Sequence, residues 1–414
     1  MQGILGACGI LALAWALGHF HRIDVKKVVI LLVTHILLAW ILLKAPGASD
    51  LLKGFGHMLS GLQKSVLKGT SFVFGYIGGG PAPFVMDTEK GSPFILMFQA
   101  LPIIVVMGSI SMILFHTGIL PSIVGRLSKV MEKTKLIGGG LSTAMAGKIF
   151  LGQTDTPLLV RPYLDHFTTN ELFSLMTMGM ATSVSTIFLL FSTALSPVMA
   201  KDSVLVHLAT STFINIIASL IIAECIRPQK GPRTSGTCTN PYVFQSIMQA
   251  IARGATDGWN IMMMIGAMMI AMIALIDIAN SLFGQALFFI TGSSITIQQV
   301  LGYVLSPLVW CMGIAWSECV CVGALLAEKT VLNEWVSIAN IVKGTYGTLS
   351  SSTLPIMLYS LCTFANISSI GIQIACLGAL APSRLNDIVR LAPLALLASL
   401  LAGALSSAVV STIL

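Results

Sequence analysis

Three groups of hydrophilic side chains interrupt an otherwise strongly apolar chain, and each holds residue types that can bind a polar solute. The first is Lys148 with the run Gly152-Gln153-Thr154-Asp155-Thr156-Pro157. A glutamine donates and accepts at once, and a carboxylate accepts from ring N–H or amino groups, so Gln153, Thr154 and Asp155 offer mixed hydrogen-bonding chemistry. A plainer reading has Lys148 and Asp155 pairing to lock a hairpin tip. The second group is Trp316-Ser317-Glu318 and, further on, Asn333-Glu334-Trp335; the third is Phe364-Ala365-Asn366-Ile367-Ser368-Ser369. Asn366 and Ser369 are spaced to share a helix face, with Phe364 near enough to stack. A carboxylate, an amide and a hydroxyl together suit vicinal hydroxyls, although Asn and Ser also bond membrane helices to one another. Glu318 reads as a hairpin acid held by backbone donors.

The elements that position these groups must lie in lipid. Of 414 residues, 55% are hydrophobic and only 9% charged, against about 25% charged in soluble domains. With 23 basic and 16 acidic side chains, the chain cannot cover the surface of a water-soluble globule of this size. The net charge of +7 does not point to nucleic acid, because the basic residues form no stripe with interleaved aromatics. The eight cysteines are scattered without zinc-site or redox spacing and read as small buried hydrophobes; no cofactor or metal is implied. His19 and His21 read as exposed interfacial histidines, and Glu224 and Asp277 as acids near span ends that reach the interface.

Apolar runs near bilayer-spanning length occur at 2–20, 28–43, 93–115, 172–199, 203–226, 259–285, 353–380 and 388–413, about eight transmembrane helices in an all-α polytopic membrane protein. The run Gln2 to Phe20 reads as the first span rather than a signal peptide, since no positive charge precedes it. Stretches 138–165 and 295–333 are apolar but broken by Gly, Pro, Thr and acidic residues, which predicts two re-entrant helical hairpins. Broken backbone at membrane depth is tolerated only where it is buried in protein or lines a wet cavity. Segments 49–77 and 118–135 carry Lys53, Lys64, Lys68, Arg126, Lys129 and Lys133 at helical spacing, a pattern of interfacial helices.

Basic clusters set the orientation. Those around Arg22 to Lys27, Arg126 to Lys135, Arg227 to Arg253 and Arg384 to Arg390 all fall on the cytoplasmic side of the inner membrane if both termini face outward. The order span, broken hairpin, polar-interrupted span occurs in 93–199 and again in 259–380, which suggests inverted repeats with the binding site near the midplane. The resulting division is 1–135 as mainly scaffold, 136–226 as first hairpin and transport spans, 227–290 as linker and scaffold span, and 291–414 as second hairpin and transport spans.

The run Gly152 to Tyr163 resembles the first-hairpin signature of the concentrative nucleoside transporter family. Asn333-Glu334-Trp335-Val336 is similar to that family's second-hairpin exit, and Phe364 to Ile370 with Gly378-Ala379-Leu380-Ala381-Pro382 to its seventh span and following turn. The resemblance covers most of the chain from about residue 93 onward. It implies a homotrimer whose protomers each move a transport part against a scaffold part. It further implies that Gln153, Thr154 and the acid at 155 meet the nucleobase, that Glu334, Asn366 and Ser369 meet the ribose, and that Phe364 lies close to the nucleoside.

Two departures stand out. Asp155 stands where the family usually has Glu, which shortens the carboxylate by one methylene. Lys148 stands where sodium-coupled members place an ion-ligating Asn, within a region completed by Leu151, Thr182 and Ser183. An ammonium cannot coordinate sodium and supplies its own positive charge. The expectation is a secondary transporter importing nucleosides by alternating access, with H+ as coupling ion or none, rather than Na+ at the usual site. The alternative is a gated channel or membrane receptor for another small polar solute, but no continuous polar stripe runs through several spans. An enzyme would need a nucleophile with a base in reach or a metal cluster, and the sequence displays neither.

Overall fold

The computed structural model describes residues 2–84, 95–133, 136–149, 151–153, 156–183, 185–234, 244–291, 296–347 and 349–414, and they are helical with no strand among them. The first half holds α1 (Gln2–Leu17), α2 (Val25–Lys44), α3 (Ala48–Phe74), α4 (Ile103–His116), α5 (Ile119–Lys133), α6 (Gly139–Lys148), α7 (Thr156–Leu159), α8 (Arg161–Leu164), α9 (Thr169–Ala181), α10 (Ser185–Ala194) and α11 (Lys201–Ile226). The second half holds α12 (Ile247–Thr291), α13 (Ile297–Cys311), α14 (Trp316–Val331), α15 (Glu334–Lys343), α16 (Thr353–Leu361), α17 (Ile367–Leu380) and α18 (Leu385–Ile413).

Each of the eight apolar segments becomes helix, but not always one helix. Among the described residues four helices are long and apolar enough to cross a bilayer unaided: Val25–Lys44, Leu96–His116, Lys201–Ile226 and Pro382–Ile413. The segment 172–199 is split into α9 and α10, and 353–380 into α16 and α17. The segment 259–285 lies inside α12, whose 45 residues extend about 68 Å at the usual helical rise, more than a bilayer requires.

Both hairpins are present, with different arms. In the second, α13 and α14 meet at 119° across a short break. Their arms touch backbone to backbone: a Cβ on Gly323 would sit 2.4 Å from the Gly302 carbonyl oxygen, so only glycine permits the approach. Glu318, in the first turn of α14, is partly buried and accepts from the Ser350 backbone N–H at 2.7 Å, from the Ser350 hydroxyl and from Thr353 Oγ1. It thereby fastens the hairpin tip to the start of α16. In the first hairpin α6 is a single arm of 10 residues, whereas the return arm is two one-turn helices, α7 and α8. The order hairpin, broken span, unbroken span therefore occurs twice, as α6–α8, α9–α10, α11 and as α13–α14, α16–α17, α18.

Local chemistry explains where the helices start. Thr168 caps α9 and Thr296 caps α13, each in a reciprocal capping box with Glu171 or Gln299. Asp24, Asn333 and Asn366 cap α2, α15 and α17 through their side-chain oxygens. The amphipathic α3 keeps Lys64 and Lys68 exposed and Val66 and Thr70 buried, as the spacing of its charges leads one to expect.

One expectation is corrected. Glu224 does not reach an interface: it is 2% exposed and pairs with Lys27 at 2.6 Å, joining α11 to α2. Two sequence-distant charges cancel each other inside the bundle, so neither has to extend toward water. Asp277 is exposed on α12, and His19 and His21 are exposed after α1.

Candidate substrate site

The polar residues singled out by the sequence gather where helices are interrupted. Asn366 is the residue before α17, and its Oδ1 accepts from the Ser369 backbone N–H at 2.9 Å and from the Ser369 hydroxyl at 2.9 Å. Its Nδ2 donates to Glu334 Oε2 at 3.4 Å. Glu334 is the first residue of α15 and 5% exposed. Asn366 and Ser369 therefore meet through a cap, not as two side chains of one helix face as their spacing implied. Phe364, half-buried in the α16–α17 break, contributes its carbonyl oxygen to the Asn366 N–H at 3.1 Å and to the Ser369 hydroxyl.

The first hairpin approaches the same helix further along. Gln153 is half-buried in the turn after α6 and lines a small cavity with Lys148, Thr156, Met178, Gly179 and Gln373. Gln373 is buried, and its Nε2 donates to the Met176 carbonyl oxygen at 2.8 Å, tying α17 to α9. The amide oxygens of Gln153 and Gln373 are both buried and have no partner among the described residues. Buried acceptors without donors are uncommon and call for a reason. Gly179 makes the meeting possible, since a Cβ there would stand 2.4 Å from Gln373 Nε2.

Lys148 ends α6 and is 1% exposed; an ammonium at a helix C-terminus is favourably placed against the helix dipole. Leu151 is buried in the turn that follows. Thr182 and Ser183 are buried where α9 gives way to α10, with the Thr182 hydroxyl bonded to the Met178 carbonyl oxygen at 3.0 Å. Thr154 and Asp155 lie outside the described residues, so the proposed Lys148–Asp155 pairing does too.

Two residues were missed by sequence reasoning. Gln373 completes a buried stripe of α17 that comprises Ser369, Gln373 and Leu377; a glutamine four residues after Ser369 in an apolar helix was the available signal. Lys329 is fully buried in the last turn of α14, and its Nζ donates to the Ser360 carbonyl oxygen at 3.3 Å and to Thr363 Oγ1. A lysine inside a hairpin was as visible there as at Lys148.

Behind the site, α11 holds α16 through buried polar bonds. His207 Nδ1 and the Tyr359 hydroxyl are 2.8 Å apart, and Asn215 Nδ2 donates to the Tyr359 carbonyl oxygen at 3.1 Å. These contacts fix the half-helix that ends at the α16–α17 break. The site residues are strung along α17: Glu334, Asn366 and Ser369 at its start, and Gln373 one turn on, beside the Gln153 cavity.

Known proteins with this architecture are transporters. Family models described as the N-terminus and the C-terminus of Na+ dependent nucleoside transporters match residues 5–77 and 207–411. An uncharacterized transporter of Bacillus subtilis, YutK, is 31% identical over 99% of this chain and 98% of its own length. The nucleoside permease NupC of Helicobacter pylori is 26% identical over 99% of this chain and 96% of its own. Among solved structures, CNTnw in an inward-facing substrate-bound state is 27% identical and matches with a TM-score of 0.88, covering 100% of this chain and 98% of that one. A variant of CNTnw in an outward-facing state matches with a TM-score of 0.89 and 27% identity, over 100% and 97% of the two chains. With two family models, near full-length relatives and a shared fold in agreement, this integral membrane protein is a transporter, not an enzyme, and belongs to the concentrative nucleoside transporter family.

Proposed function

We propose that the chain is a secondary transporter that imports nucleosides across the inner membrane by alternating access, with its termini outside, and that it works as a homotrimer. The observation that carries the substrate reading is the path along α17: a carboxylate, an amide and a hydroxyl bonded to one another at its start, and two buried amide oxygens around a cavity one to two turns on. The first set suits ribose hydroxyls, and the second suits the N–H groups of a base. Glu334, Asn366 and Ser369 take the sugar with Phe364 beside it, while Gln153, Thr154 and Asp155 take the base. Residues 136–226 and 291–414 form the moving part, and 1–135 with 227–290 the scaffold.

Coupling is the finer proposal. Although the matching family models carry a sodium-dependent description, Lys148 is buried and stands, by the family resemblance, at the ion position grouped with Leu151, Thr182 and Ser183, where a sodium ligand would have to be neutral or anionic. Transport is then driven by H+ or by the nucleoside gradient alone. In proteoliposomes, uptake of labelled uridine or adenosine is expected to be unchanged when choline replaces sodium; a steep sodium dependence at fixed pH overturns this coupling. Absence of calorimetric binding to uridine, adenosine and guanosine overturns the substrate reading itself.

A further inference from the structure

Among the described residues Lys329 is the most completely buried cation in the second half of the chain. It is 0% exposed, lies five residues before Glu334, and reaches across from the hairpin to the α16–α17 break. There its Nζ donates to the Ser360 carbonyl oxygen and to Thr363 Oγ1, while the Thr363 hydroxyl donates to the same carbonyl at 3.0 Å. Ser360 belongs to the last turn of α16, where helix carbonyls lack intrahelical partners and the dipole is negative. Asn366, which caps α17 and bonds Glu334, follows only three residues after Thr363. Among the described residues, Glu334 is the carboxylate whose charge acts on Lys329, and Lys329 the cation whose charge acts on Glu334.

A buried cation near a buried carboxylate is weak evidence for stability, because apolar residues of similar volume are often as stabilising in their place. A cation retained here therefore calls for a reason in geometry or charge. We propose that Lys329 is a positioning residue for the sugar end of the site: its ammonium is the fixed countercharge that holds the Glu334 carboxylate beside Asn366, and by clamping the end of α16 it fixes the cap that presents Asn366 and Ser369. This rests on the nucleoside reading above. The lysine itself touches no solute.

The test compares calorimetric binding of uridine and 3′-deoxyuridine to purified wild-type protein and to Lys329→Met. The variant is expected to lose at least tenfold in uridine affinity and to lose most of its preference for uridine over 3′-deoxyuridine, because the sugar contacts are the ones misplaced. Unchanged uridine affinity, or an equal loss for both ligands, overturns the proposal and leaves Lys329 a packing residue. The second measurement needs no ligand. Removing both charges in Lys329→Met/Glu334→Gln is expected to raise the melting temperature above that of Lys329→Met alone; a double variant that melts no higher, or that fails to fold along with the single one, also overturns it. If wild-type protein binds neither ligand, the transport reading fails while the charge cycle still decides whether the two residues are coupled.

Discussion

Asn366 is a helix cap and, in the proposed site, a sugar contact, and its replacement separates the two roles. Its Oδ1 accepts from the Ser369 backbone N–H at 2.9 Å, which makes it the N-cap of α17, and its Nδ2 bonds Glu334 at 3.4 Å. Asn366→Ala removes the cap, at a cost of ~1 kcal/mol in helix stability, and leaves a buried carboxylate without an amide donor. That second loss falls at about 1–3 kcal/mol. Asn366→Ser keeps a hydroxyl able to cap but has no amide to donate. Thermal unfolding in detergent should therefore show both variants destabilised, with Asn366→Ser above Asn366→Ala by the ~1 kcal/mol of the cap it retains. Uridine binding should weaken in both, by about tenfold for each ~1.4 kcal/mol lost. If Asn366→Ser matches Asn366→Ala in stability, the capping argument is wrong. If both bind uridine as wild type does, Asn366 is helix glue and not part of a sugar site.

Two further outcomes follow from close contacts elsewhere in the bundle. Gly179→Ala places a methyl group where Gln373 Nε2 stands 2.4 Å away, so the amide must leave its 2.8 Å bond to Met176; an overpacking cost of ~1–3 kcal/mol should appear as a raised KM for uptake, and an unaltered KM would show that Gln373 does not line the site. Lys27→Met strands Glu224, which is 2% exposed, and should destabilise by ~3–5 kcal/mol, whereas Lys27→Met/Glu224→Met should recover most of that loss in a thermal melt; no recovery would refute the pairing.

The sequence was informative wherever lipid made a residue expensive. Apolar runs near spanning length cannot avoid becoming helix in a bilayer, and the eight segments did so, as did the two further stretches whose Gly, Pro and polar residues required a break. The same cost makes Lys148, Glu334 and Asn366 conspicuous from their apolar neighbours alone. What sequence periodicity could not supply was pairing across distance. Lys27 and Glu224 are 197 residues apart, and each alone looked like an end-of-span charge. Gln373 looked like one polar residue on an apolar helix until its amide met the Met176 carbonyl 197 positions away. Lys329 had no evident meaning until the end of α16 was placed against it. Spacing within a segment fixes which residues share a helix, because the helical repeat is local; which of two buried charges or amides face each other depends on how the helices pack, and only the tertiary structure decides that.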